Sequence, residues 1–204
     1  MGLNGRDTKF FATFGPMQKI ISLFQRNYEG DRLVRDEIVP GAEWVAAGEG
    51  VGTRKWDGTC CKIENGILYK RYDAKKGKTP PDGFIPAQEP DPISGHWPGW
   101  LKVGEGKEDM WFRKAIEGYG DLSAEFEDGT YELIGERING NPEGFEGHHL
   151  VRHGAIHLFP DAPRTFIGLK EYLTREDIEG IVWHHPDGRM VKIKGKDFGI
   201  KRKR

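Results

Sequence analysis

Thr53–Lys78 reads TRKWDGTCCKIENGILYKRYDAKKGK. Asn65-Gly66 stands between two runs rich in apolar and aromatic residues, the signature of a two-residue β-hairpin turn. Counting outward from the turn sets Glu64 opposite Ile67, Lys62 opposite Tyr69 and Cys60 opposite Arg71. The hairpin therefore carries Arg71 back to the start of its first strand, beside Gly58 and Lys55. Lys55 opens a Lys-x-Asp-Gly tetrapeptide whose glycine permits a turn that presents the lysine. Whether that lysine is a nucleophile or a solvated side chain depends on its company.

A second hairpin closes the chain. In IEGIVWHHPDGRMVKIKG (Ile178–Gly195), Pro186-Asp187-Gly188 marks the turn. If His185 pairs with Arg189, then Val182 faces Lys192 and Glu179 reaches Lys194 and Gly195. Between the hairpins, TYELIGER (Thr130–Arg137) alternates as a strand and sets Glu132, Ile134 and Glu136 on one face. Met17, Ile20, Ile21 and Phe24 recur at helical spacing, so Pro16–Arg26 reads as a short amphipathic helix. Leu33–Val39 and Glu43–Ala47 read as strands, Asp109–Glu117 and Phe166–Leu173 as helices, and GAIHLF (Gly154–Phe159) as a strand. Thr79–Gly104 is rich in Pro and Gly but holds Phe84, Trp97 and Trp100, which fits an ordered, irregular insertion.

The chain has 204 residues, 36% hydrophobic and 31% charged, with a net charge of −1. That suits one domain, residues 1–204, without internal repeats. No apolar run approaches a membrane span and no signal-peptide pattern opens the chain. The two cysteines, Cys60 and Cys61, are neighbours, which disfavours a mutual disulfide and points to a reducing, cytoplasmic setting. Both read as packing residues. Seven histidines invite a zinc reading, but His148, His149, His153 and His157 fall in a strand-like segment without tight ligand spacing, and His184-His185 add none. Lys194–Arg204 carries six Lys/Arg against Asp197, a solvated end or a phosphate-binding arm.

Glu132 lies mid-strand among apolar residues, Glu179 opens an apolar strand, and Lys192 alternates with Val191 and Ile193. Charges in buried strands must be paired or must bind something charged. Such a set can run one reaction, attack of a lysine amine on a nucleotide α-phosphate. Attack requires the neutral amine, whose ordinary pKa is about 10.4. A neighbouring cation such as Lys192 or Arg71, or a bound metal, lowers it and stabilises charge on the phosphate oxygens. Glu132 and Glu179 offer the hard oxygens that Mg²⁺ takes, directly or through water.

The ordered set Lys55 in KWDG, Arg71 in YKRYD, Glu132 in YELIG, Glu179 in EGIV and Lys192 in MVKIK resembles the covalent nucleotidyltransferases, the polynucleotide ligases and RNA-capping guanylyltransferases. KWDGTCC, FIPAQE, GHWPGW, ELIGERINGNPEG, HLVRHGA and IEGIVWHHPDG are similar, more narrowly, to a small family of ATP-dependent 5′-to-3′ RNA ligases. The resemblance implies an α+β nucleotidyltransferase fold, with twisted, mostly antiparallel sheets, short flanking helices and a nucleotide cleft between sheets. It implies an ATP-dependent RNA ligase that joins a 5′-phosphate to a 3′-hydroxyl through lysyl-AMP and an AMP-capped RNA end. By it, Lys55, Lys192, Glu179 and Glu132 are catalytic. Arg54, Arg71 and Lys194 join them in nucleotide binding, Glu132 and Glu179 hold Mg²⁺ or Mn²⁺, and Glu89 and Glu136 are possible metal or nucleotide contacts. Other ligases write the third motif as Gly-Glu, which favours Glu136; the narrower family favours Glu132. The chain ends soon after Lys192, leaving no room for an OB domain, and a monomer is expected. A DNA-nick ligase, a guanylyltransferase and an inactive nucleic-acid-binding domain are the alternatives.

Overall fold

The computed structural model describes residues 20–92, 94–154 and 158–202. The chain begins with β1 (Ile21–Ser22), β2 (Phe24–Arg26) and β3 (Val34–Ile38), followed by the single-turn helix α1 (Glu43–Ala46). Next come β4 (Val51–Lys55), β5 (Thr59–Glu64) and β6 (Ile67–Ala74), then β7 (Ile85–Pro86) and β8 (Trp97–Lys102) within the Pro/Gly-rich insertion. Two helices, α2 (Met110–Ala115) and α3 (Leu122–Glu125), precede β9 (Gly129–Gly135), β10 (His148–Arg152) and β11 (Leu158–Phe159). Helix α4 (Phe166–Arg175) leads to the hairpin of β12 (Gly180–His184) and β13 (Met190–Lys194). The fold is α+β, with sheets that are antiparallel except where β1 joins β13 in parallel. No helix among the described residues is long and apolar enough to cross a membrane.

Two sheets organise the chain, ordered β1-β13-β12-β4-β11 and β10-β9-β5-β6-β8-β7. Period-two alternation decides what each buries. On the five-stranded sheet, Ile181, Trp183, Val191 and Ile193 pack with Val45 of α1 and with Leu169 and Leu173 of α4. On the six-stranded sheet, Cys61, Ile63, Tyr131 and Leu133 pack with Phe112 and Ala115 of α2 and Leu122 of α3. The opposite faces of both sheets are thereby left to line a common cleft. Trp56, Ile134 and Val151 form a small third cluster where the chain passes from β4 to β5.

Both hairpin registers are as the turns imply. Glu64 pairs with Ile67 and Lys62 with Tyr69; Val182 pairs with Lys192, and Gly195 N donates to Glu179 O at 2.9 Å. Two local readings are overturned. Residues 20–26 are extended rather than helical, because β13 offers an unpaired edge. Ile21 pairs with Val191, Leu23 N donates to Lys192 O at 2.8 Å, and Leu23 and Phe24 are buried. Backbone pairing and burial outweigh apolar periodicity there. Pro16–Lys19 of that reading lie outside the described residues, as do residues 155–157 of GAIHLF, whose Leu158–Phe159 is a strand. Glu43–Ala46 is helical instead of extended, and its turn buries both Trp44 and Val45.

Candidate functional site

Lys55 ends β4, and Trp56-Asp57-Gly58 carries the chain across to β5 in the other sheet. The lysine therefore stands at the junction of a cleft of about 300 Å³. Thr53, Lys55, His184 and Lys192 line it from the five-stranded sheet, and Cys60, Arg71, Thr130 and Glu132 from the other. Gly58 has a reason beyond the turn. A Cβ there would meet Leu133 O at 2.2 Å and the Glu132 Cγ at 2.8 Å, so the glycine lets the crossover lie directly on the strand that carries Glu132. Gly180 does the same for Glu179, since its Cβ would meet Ile193 O at 2.0 Å.

Lys55 Nζ lies 2.5 Å from Glu179 Oε2, and Lys194 Nζ lies 2.8 Å from Glu179 Oε1. Burial pushes the Lys55 ammonium down, but Glu179, Glu132 and Asp57 together outweigh it and hold its pKa above the ordinary value. Burial acts against the Glu179 carboxylate too, and the Lys55 and Lys194 charges overcome it and hold its pKa low. For Lys192 the balance goes the other way: burial first, then Lys194 and Lys55, push it down to about 8, against the weaker raising effects of Asp197 and Glu179. It remains mostly cationic at neutral pH, a positive charge in the cleft wall. Lys194 is lowered as well, by burial and then by Lys55.

Glu132 is buried, and its Oε2 lies 2.9 Å from His153 Nε2; His153 Nδ1 lies 3.0 Å from Thr130 Oγ1. Arg71 places its guanidinium 5.2 Å from the Trp100 ring centroid and its Nε 3.3 Å from Asp73. Arg54 lies over Trp56 at 4.4 Å and bonds Glu143. The other two carboxylates singled out in the sequence are elsewhere. Glu89 and Glu136 are exposed and line no part of the cleft. Alternation stops before Glu136, because β9 ends at Gly135 with φ 140°.

Three features were not legible. Glu143, whose side chain is 1% exposed, accepts from Asp57 N at 2.9 Å and Arg202 Nη1 at 3.0 Å as well as from Arg54. It braces the crossover. Asn139 Nδ2 donates to Asp57 Oδ1 and Gly58 O, each at 3.0 Å. Removing Glu143 takes the carboxylate from the Arg54 guanidinium and the Asp57 N–H, and removes one of several acceptors from Arg202. Glu143→Ala is expected to lower unfolding free energy by about 3 kcal/mol, measured by denaturant titration. Second, the basic end is part of the fold. Asp197 and Phe198 are buried, Asp197 pairs with Arg26, and Arg202 is tied to Glu143, Pro142 O and Asp177 O. Third, Cys60 and Cys61 differ. Cys61 is core, while Cys60 lines the cleft beside Glu132 and His153.

His184 faces Thr53 Oγ1 at 3.0 Å, and burial, then His153, push its pKa from 6.5 down to about 4. Its folded form resists a proton that the unfolded chain accepts, so stability falls as pH drops from about 6.5 towards 4. The loss is on the order of 3 kcal/mol. His184→Gln should flatten that part of the stability–pH curve.

Comparison with known proteins places these residues in context. Residues 121–203, which carry Glu132, Glu143, His153, Glu179 and Lys192, match the family model described as RNA ligase 1. RNA ligase 1 of Mus musculus is 28% identical over 220 residues, covering 74% of this chain and 67% of that protein. RNA ligase 1 of Rattus norvegicus is 28% identical over 224 residues with the same coverage. RNA ligase 1 of Danio rerio is 29% identical over 136 residues, 52% of this chain and 42% of its own.

Proposed function

We propose that this chain, a distant homologue of the vertebrate RNA ligase 1 proteins, is a one-domain, nucleotidyltransferase-fold RNA ligase that takes AMP from ATP onto Lys55 and passes it to an RNA 5′-phosphate. The observation that carries this reading is the convergence of Lys55, Arg71, Glu132 and Lys192 on one cleft, with Glu179 bonded to the Lys55 amine.

In the first step the neutral Lys55 Nζ attacks the α-phosphorus, the bond to the bridging oxygen breaks, and pyrophosphate leaves. Glu179 aims Nζ, and Lys192 and Arg71 offset the charge that grows on the phosphate oxygens. In the second step an RNA 5′-phosphate oxygen attacks the same phosphorus and the P–N bond breaks, returning the lysine. In the third a 3′-hydroxyl attacks the RNA phosphate and AMP departs.

The cleft has the size and cationic lining for a nucleotide, and Glu132 has the chemistry of a Mg²⁺ or Mn²⁺ ligand within it. Glu179 is less suited, because each of its oxygens already accepts from a lysine. A divalent ion on Glu132 would neutralise one of the carboxylates that hold the proton on Lys55, and would polarise the phosphate.

A second depression of about 590 Å³ also includes Glu179; Arg175, Lys196 and Lys201 line it together with Glu176 and Asp177. These exposed cations suit RNA phosphates. Lys196→Ala and Lys201→Ala should each reduce the slope of log K against log[salt] for RNA binding by about 1.

The function is tested by offering ATP with RNA bearing 5′-phosphate and 3′-hydroxyl ends and scoring the joined strand and the AMP-capped intermediate. Sealing of DNA nicks alone would select the DNA-ligase alternative. Transfer from GTP and not ATP would select the capping alternative, and RNA binding without any covalent nucleotide would select a binding domain.

A further inference from the structure

Cys60, Glu132 and His153 place a sulfur, a carboxylate oxygen and an imidazole nitrogen within 4.8 Å of one another at the cleft. Sequence spacing conceals the group, because its members come from three neighbouring stretches of one sheet. Cys60 of β5 is the direct cross-strand partner of Glu132 of β9, and His153 follows β10, its N–H donating to Thr130 O at 3.0 Å. The frame that holds them is therefore the hydrogen-bonded sheet.

We propose that Cys60, Glu132 and His153 form a three-ligand site for a thiophilic divalent cation, zinc by preference. The His153 Nε2 and Glu132 Oε2 atoms already face each other at 2.9 Å. Two donors on one tetrahedral zinc stand about 3.4 Å apart, so a cation takes the place of the bridging proton with a small widening. Side-chain rotation brings the Cys60 sulfur to the third position, and its thiol proton passes to solvent on binding. Thr130 Oγ1, 3.0 Å from His153 Nδ1, then accepts the Nδ1–H and leaves Nε2 free to ligate. Glu132 is a hard donor, but the soft Cys60 thiolate and the borderline His153 imidazole select Zn²⁺ over Mg²⁺. The fourth position opens to the cleft, as in sites where zinc keeps an exchangeable ligand. Zinc held there takes Glu132 away from any Mg²⁺. That consequence rests on the ligase reading, whereas the binding itself does not.

The test needs no nucleotide. Reduced, metal-free protein is titrated with Co²⁺ and followed by thiolate-to-cobalt charge-transfer absorption. The wild type should develop the band, an equivalent of Zn²⁺ should bleach it, and a large excess of Mg²⁺ should not. Cys60→Ser should abolish the band, Cys61→Ser should keep it, and Thr130→Val should weaken Co²⁺ binding about tenfold or more. Absence of the band in the wild type, its bleaching by Mg²⁺, or its survival in Cys60→Ser would overturn the proposal. The wild-type outcomes stand whether or not a variant folds.

Discussion

Lys55→Ala should form no covalent nucleotide at any pH or ATP concentration, and ATP-driven RNA joining should fall below detection. The amine is the atom that bonds to phosphorus in this account, and no nearby group replaces it. Lys192 and Lys194 are the closest amines in kind. Lys194 is tied to Glu179. Lys192 projects from the wall of the cleft, two residues along β13 from Lys194. The same variant, supplied with RNA whose 5′ end already carries AMP, should still join it, because the lysine's bond to phosphorus is made and broken before that step. Assaying both substrates separates loss of the nucleophile from loss of the fold. Failure on both, with an unchanged melting profile, would assign Lys55 a role throughout the cycle.

Glu179→Gln should cut the maximal rate of Lys55 adenylylation by about 10²-fold and move the alkaline rise of that rate to lower pH. The two effects have separate causes. Glu179 holds Nζ at 2.5 Å, and misplacing a reacting atom by about 1 Å costs roughly that factor. The carboxylate is also the leading attraction that raises the Lys55 pKa. Glutamine removes its charge and leaves Lys194 beside the amine without its carboxylate partner, so the neutral form is reached earlier in a titration. The measurement is single-turnover adenylylation across a pH series. A profile that keeps its midpoint, or moves to higher pH, would remove Glu179 from control of the nucleophile.

Much of this site is legible in the amino-acid sequence because turn chemistry is local. Asn65-Gly66 and Pro186-Asp187-Gly188 fix where strands reverse, and counting from them brings Val182 to Lys192 and Glu179 to Lys194. Alternation within β9 then turns Glu132 away from the core that takes Tyr131 and Leu133. What escapes is what depends on the pairing of distant strands. Cys60 meets His153 only because β5, β9 and β10 are neighbours in one sheet. Glu143, in an irregular loop, meets Arg54 and Arg202, which lie far from it on either side in sequence, and no periodicity marks it. Gly58 is visible as a turn residue, but its near contact with Leu133 O is a fact of packing. The misreading of residues 20–26 has the same origin, since the edge of β13 that claims them is built from the other end of the chain.

Everything in this mechanism turns on AMP being carried by Lys55. The direct measurement is to incubate the protein with α-labelled ATP and Mg²⁺, digest it, and identify the labelled peptide and the stability of its bond. Label is expected on the peptide containing Lys55, labile to acid and stable to base as a P–N bond requires. Label on another residue, an acid-stable linkage, or label undiminished in Lys55→Ala would contradict it.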